Sequence, residues 1–244
     1  FHNLQEQLNF YFFYLKIKNF MSHNISNLND KIIKCKLCPR LINFRKTIVR
    51  NKRKQFINET YWGKPITGFG DTKAKILFIG LAPAAHGGTR TGRVFTGDKS
   101  SDFLYKCLHK AKISNQSNSN HINDGLKLKN AYITTALKCV PPEDKPLRIE
   151  LDNCSKFFNK ELEHLLNVKV IVALGKIAFD SCKYFYQKKM YLDKNIKFGH
   201  GKIFKLENGI SLVGCYHPSP RNVNTGRINQ NKMVNLFNKI KKIN

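Results

Sequence analysis

Acidic residues are scarce in this sequence. Its 244 residues hold 16 Asp and Glu against 43 Lys and Arg, a formal net charge of +27. That imbalance argues for a polyanionic partner, because Lys and Arg that neutralise phosphates release condensed counterions on binding. An AT-rich genome inflates Lys, Asn and Ile through its codons, but it does not by itself exclude acids. Long hydrophobic runs are missing too. The apolar stretch LNFYFFYL (8–15) is far too short to span a bilayer, and lysines follow it, so neither a signal peptide nor a membrane span is read. There is no G-x-G-x-x-G and no Walker lysine, which sets aside the common dinucleotide and P-loop sites. No paired-carboxylate or His-rich constellation suggests a catalytic metal, and no internal repeat is visible. The seven cysteines are odd in number and lack the spacing of a secreted framework, which points to a reducing cytosol.

What is present suffices for one large domain. Hydrophobic residues make up 41% of the chain, enough for an ordinary core without disulfides. The chain begins at Phe1 and Met21 opens a second start, so residues 1–20 are set aside as an upstream or non-native extension and 21–244 are read as a single domain. Four short runs rich in β-branched residues, AKILFIGLAP (74–83), NAYITTAL (130–137), VKVIVALG (168–175) and ISLVGCYHP (210–218), read as buried strands. Helical periodicity falls between and after them, at 101–113, 154–167, 176–187 and 232–242. Alternating strands and helices predict an α/β fold around a four-stranded parallel sheet. Ligands of such sheets sit at the carboxyl ends of the strands. The polar loop 115–125 is expected to be mobile.

Cys35 and Cys38 form a C-x2-C pair, and Cys139 and Cys154 follow far downstream. A C-x2-C pair presents two thiolates on one turn, half of a zinc or iron–sulfur site, and spacing alone does not choose between them. A redox dithiol is the other reading, but no thioredoxin-like strand precedes the pair. Cys107, Cys182 and Cys215 lie in apolar patterns and are read as small core residues.

Three segments follow predicted strand ends: GLAPAAHGGTRTGRVFTGD (80–98), ITTALKCVPPEDKP (133–146) and HPSPRNVNTGR (217–227). With the four cysteines interleaved, they resemble the uracil-DNA glycosylase superfamily, most closely its iron–sulfur family 5 (type B), over about residues 31–240. The resemblance implies a three-layer α/β/α sandwich and a [4Fe–4S] cluster on Cys35, Cys38, Cys139 and Cys154. It also implies hydrolysis of the N-glycosidic bond of uracil in DNA, in a base-excision repair role and with no separate strand cleavage. Other deaminated bases such as hypoxanthine are expected substrates.

Roles then fall on particular residues. Glycosidic cleavage separates a base anion from an oxocarbenium-like sugar, and a ring N–H of His217 is placed to donate to the developing oxyanion. The strand before His217 fixes its backbone, and Pro218 and Pro220 stiffen its exit. Phe95 is a stacking surface for the flipped base, beside Ala82, where better-known relatives carry an Asp or Asn. Thr135 stands where relatives read the base edge. Thr89 or Asp98 is expected to position the water, although Asp98 also suits a helix cap. Ser219, Asn224 and Arg227 are expected on phosphates, and Arg221 replaces the usual apolar wedge. The partner is uracil-containing DNA, the protein a monomer with no membrane attachment, and its place a prokaryotic cytoplasm beside the nucleoid. A basic, metal-stapled module that binds nucleic acid without chemistry is the alternative.

Overall fold

The computed structural model describes residues 25–192 and 195–243, so the 1–20 segment lies outside the described residues. A helical stretch at 25–33 precedes α1 (Pro39–Arg50), which starts on Pro39, where a missing backbone N–H costs nothing. The sheet then builds from β1 (Phe69–Gly70), β2 (Ile76–Gly80), β3 (Ala131–Thr135), β4 (Val170–Leu174), β5 (Ile203–Lys205) and β6 (Ser211–Cys215). Between them lie α2 (Gly88–Thr91), α3 (Lys99–Lys110), α4 (Arg148–His164) and α5 (Lys176–Lys188). The chain closes with α6 (Pro220–Asn224) and α7 (Gln230–Ile240).

The strand order is β1-β3-β2-β4-β6-β5. The four strands read from sequence pair in parallel at its centre, with Phe78 opposite both Ile133 and Val172, and Val172 opposite Val213. The sheet is nevertheless six-stranded and mixed, not four-stranded and parallel, because β1 and β5 add antiparallel edges. These edges are two and three residues long and only half-buried, too short to show a period in sequence.

Side-chain alternation divides the core between the two faces of the sheet. Ile76, Phe78, Ile133 and Val172 meet Leu104 and Leu108 of α3 and Met233 and Phe237 of α7. Leu77, Ile79, Ile171 and Leu212 meet Phe158 of α4 and Phe179 and Cys182 of α5. Cys107, Cys182 and Cys215 are fully buried in this packing. The chain leaves β2 for β3 on one side and then returns past it to β4 on the other. This places the topological switch point at the carboxyl ends of β2 and β4.

The 115–125 loop is fastened rather than loose. Arg93, itself buried, donates to Thr96 Oγ1 (2.9 Å), Ser119 Oγ (2.9 Å) and Asp124 Oδ2 (2.7 Å), and Gly97 N–H donates to Ser119 O (2.7 Å). The loop is thereby tied to the glycine-rich segment after β2.

Candidate active site and cysteine pocket

A cavity of about 380 Å³ opens at the switch point, lined by Ala82, Phe95, Asp98, Asp144, His217 and Ser219 among others. Each arrives there for a local reason. His217 follows β6 and rests over Gly175, where even a methyl group would stand 3.5 Å from its Cβ. Asn222 Nδ2 donates to the His217 carbonyl (2.9 Å), fixing the backbone from the far side. Burial pushes the imidazole down to about 4, so the ring is neutral at pH 7 and keeps one N–H to donate.

Phe95 takes a left-handed backbone, φ 47°, which a bulky residue adopts only when its surroundings hold it there. Its ring lies over Gly80, where any Cβ would come within 2.7 Å of it. The ring centroid is 6.1 Å from that of His217, with the planes 34° apart. A flat ligand thus has an aromatic wall and a hydrogen-bond donor in the same cavity.

Asp98 is the N-cap of α3. Its Oδ1 accepts from Ser100 N (2.9 Å) and Ser101 N (3.0 Å), and the Ser101 hydroxyl lies 3.0 Å from Asp98 N, closing a capping box. Desolvation still raises its pKa above the usual carboxylate value, the two backbone hydrogen bonds only partly opposing it. Asp98 is thus the helix cap that the sequence allowed, and the same residue lines the cavity.

Thr89 is not brought to the cavity. It is fully buried on α2, and its hydroxyl has no partner. The helical turn 88–91 directs it inward, which a glycine-rich sequence does not disclose. Thr135 is also buried at the end of β3, behind the position where Gly80 and Phe95 meet, and does not line the cavity. Beyond His217 the chain forms a short helix in place of an irregular wedge. Ser219 caps α6 by accepting from Asn222 N (3.4 Å), and Arg221, Asn224 and Arg227 stand exposed on and after it.

Asp144 went unread in the sequence. It lines the cavity from the segment after β3, where Glu143 and Asp144 both take positive φ, 54° and 56°. Two successive non-glycine residues in that region mark strain that the surroundings hold in place. The only sequence signal was the Pro141-Pro142 pair before them.

Cys35, Cys38, Cys139 and Cys154 line one narrow, largely apolar cavity with Leu41, Leu137 and Phe157. Lys138 N–H donates to Cys154 Sγ (3.2 Å) and Asn153 Nδ2 to Cys38 Sγ (3.7 Å), contacts that favour thiolate sulfur. Burial pushes Cys154 up to about 12 and Cys139 up to about 11, with the neighbouring sulfurs adding to the rise. Thiols of this kind resist ionising singly and lose their protons together to a cationic group. Among the described residues no three His, Cys, Asp or Glu side chains close around one ion. A single zinc needs its sulfurs about 2.3 Å from one centre. A [4Fe–4S] cluster takes one cysteine per iron, and four thiols lining one cavity, two of them met by N–H donors, are a donor set that fits it. Arg40 braces the pocket, donating from Nε and Nη2 to both Glu150 oxygens (2.7 Å each) and so joining α1 to α4.

Comparison with known proteins agrees with this geometry. Residues 67–241 match the family model described as the Uracil DNA glycosylase superfamily. The chain belongs to that superfamily. A Type-5 uracil-DNA glycosylase of Thermus thermophilus is 41% identical over 209 residues, covering 86% of this chain and 93% of the relative. The Type-5 enzyme of Mycobacterium leprae is 38% identical over 221 residues, covering 90% and 96%. A Type-4 uracil-DNA glycosylase of Archaeoglobus fulgidus is more distant, 28% identical over 158 residues with 63% and 70% covered. Both superfamily segments at the cavity, after β2 and after β6, lie within the matched region. No helix among the described residues is long and apolar enough to cross a membrane.

Proposed function

We propose that this protein is a monofunctional uracil-DNA glycosylase of the Type-5 kind, hydrolysing the N-glycosidic bond and leaving an abasic site for repair. The observation that carries the reading is His217, held neutral by burial and fixed over Gly175 in the cavity that Phe95 walls. A flipped uracil stacks on Phe95 against Ala82. As the bond breaks, negative charge grows on O2 of the base, and the His217 N–H donates to it. The neutral imidazole keeps its proton, the water that adds to C1′ gives up one that ends on the uracil anion, and departure of that anion does most of the work. Water must reach C1′ from the same cavity, which Asp98 and Asp144 share. Asp98 has the raised pKa and the fixed position expected of a group that orients such a water. The cavity lining among the described residues includes no Asn or Gln side chain to read a pyrimidine edge, which supports a looser base selection that takes hypoxanthine and related deaminated bases as well.

Cys35, Cys38, Cys139 and Cys154 would hold a [4Fe–4S] cluster, whose contribution when bound is structural. Cys139 begins the segment that delivers Asp144, and Cys38, Cys139 and Ala82 all pack against the small core of Leu41, Leu137 and Cys154. We read the layered core as the α/β/α sandwich of the superfamily, residues 21–244 as one domain, and the protein as a monomer acting on nucleoid DNA. Ser219, Arg221, Asn224 and Arg227 meet phosphates beside the cavity.

The test is base release from oligonucleotides carrying one uracil or one hypoxanthine opposite each base and in single strands, with alkali to reveal abasic sites. Scission only after alkali, strongest at uracil, is expected. No release from any of them by a brown protein that still binds DNA would make this a binding module.

A further inference from the structure

The catalytic cavity continues into a second space. Ala84, Asp98 and Asp144 also line a cleft of about 830 Å³, whose wall includes Arg53, Phe56, His86, Arg90 and Lys99. Ser219 and Pro220 line the catalytic cavity but not this cleft. The α6 cations therefore flank one side of the site, and the cleft leads away from another.

Most acids of the cleft are already engaged. Glu59 pairs with Arg90, Asp98 caps α3, and Asp102 lies 3.7 Å from Lys99 Nζ. Arg53, a cation of its lining, is different. Arg53 belongs to the run RNKRK (50–54), and Arg50, Arg53 and Lys54 are exposed. Lys52 holds the turn that follows, donating to Ile57 O (3.2 Å) and Glu59 O (2.7 Å). Phe56 is half-buried, with the Arg90 guanidinium 3.8 Å from its ring centroid. That guanidinium is itself fixed, donating to His86 O (2.8 Å) and Gly97 O (3.0 Å). His86 Nδ1 lies 2.9 Å from the Tyr61 hydroxyl. An aromatic ring backed by an anchored guanidinium, beside unpaired cations, is what an unstacked strand requires.

We propose that the strand bearing the flipped nucleotide runs out of the catalytic cavity through this cleft, with Arg53 and Lys54 on its phosphates and Phe56 under the neighbouring base. This rests on the glycosylase reading and names the side from which the DNA is gripped. DNA then spans from the α6 side, across the cavity mouth, to the RNKRK side.

The probe is a labelled duplex carrying one tetrahydrofuran abasic analogue, which the protein does not cleave, titrated over a range of salt. Arg53→Ala with Lys54→Ala is expected to weaken binding about tenfold and to reduce the slope of log affinity against log salt by about 2. The control pair is Lys75→Ala with Lys129→Ala, exposed cations at the amino ends of β2 and β3, opposite the site. It removes the same charge and is expected to change affinity less than about twofold. Equal effects of the two pairs, or an unchanged slope in the first, overturn the phosphate contacts. Phe56→Ala is expected to weaken binding roughly tenfold with the slope unaltered, and Phe56→Trp to restore it; full affinity in Phe56→Ala removes the stacking role. Uracil release by the parent is measured separately. A parent that cleaves while both charge pairs behave alike sinks the cleft alone. A parent that binds and never cleaves sinks the glycosylase reading and leaves the cleft standing.

Discussion

The catalytic cavity and the cysteine pocket are neighbours built on opposite principles. Ala82 lines the first and packs against the small core of Leu41, Leu137 and Cys154 that lines the second, so the two share a wall. The same chain serves both, Cys139 facing the pocket and Asp144, five residues on, facing the cavity. The pocket is narrow and largely apolar, with N–H donors on two of its sulfurs. The cavity is open and holds an imidazole, two carboxylates and an aromatic face positioned by a strained backbone. The contrast separates two jobs. One region fixes the chain after β3, and the other uses that fixed chain to place groups that would not stay there unaided.

Breaking the pocket should have the largest effect. Cys38→Ser with Cys154→Ser is expected to abolish absorbance near ~400 nm and to lower Tm by on the order of 10 °C or more. Base release should fall with it, because the 140–144 segment and Ala82 lose their support. A colourless, fully active variant of unchanged Tm would show that the cavity does not depend on the pocket.

Behind the pocket, Lys138 and Glu161 form a fully buried pair, with Lys138 Nζ also donating to Thr134 Oγ1 (2.7 Å). Glu161→Gln strands the ammonium and is expected to cost about 3–5 kcal/mol in denaturant unfolding. Lys138→Met with Glu161→Leu removes both charges and should recover most of that loss. A single mutant as stable as the parent would mean that the pair is not what holds β3 to α4.

His217→Ala belongs wholly to the cavity. Single-turnover release should fall about 10²- to 10³-fold, while Tm moves less than about 2 °C and the chromophore is unchanged. Its pH behaviour follows from the sign of the shift. The folded-state value, about 4, lies below the ordinary histidine value, so the folded protein binds fewer protons there. The stability this contributes is complete above the ordinary histidine range and drains away as pH falls through the folded value. The parent rate should show no inflection near ~6.5, the His217 limb appearing only near 4. An inflection near neutrality that vanishes in His217→Ala would mean that the imidazolium is the working form.

The same contrast explains what was legible in the sequence. The central strands showed because each is a β-branched run closed by a turn residue, and the four cysteines could be grouped by their spacing without knowledge of the fold; all four line one pocket. Ala82, Phe95, Asp98 and His217 could be grouped because strand ends converge in an α/β sheet, and all four line one cavity. Thr89, on the α2 turn, and Thr135, at the end of β3, are buried and do not line the cavity, because position along the chain does not fix which way a side chain faces. Asp144 depends on two left-handed residues that Pro141-Pro142 only hints at. Asn222 became visible only once α6 formed, although Ser219-Pro220 is the cap and first-turn pair that starts a helix.

The smallest effect is the sharpest probe of the boundary between the two principles, because Asp98 obeys both. As a cap it is structural, and Asn caps as well as Asp, so Asp98→Asn should keep stability within about 0.5 kcal/mol. As a carboxylate in the cavity with a raised pKa it can orient water, and Asn cannot take up a proton. The rate should therefore fall about tenfold, the modest share left to a base when leaving-group departure dominates. The share of the parent's acid limb that belongs to Asp98 should disappear with it, leaving the His217 limb near 4. Asp144→Asn is the companion, free of any cap in the structure. If Asp98→Asn retains the full rate and Asp144→Asn loses it, Asp98 reverts to a helix cap and the strained turn after Cys139 carries the water.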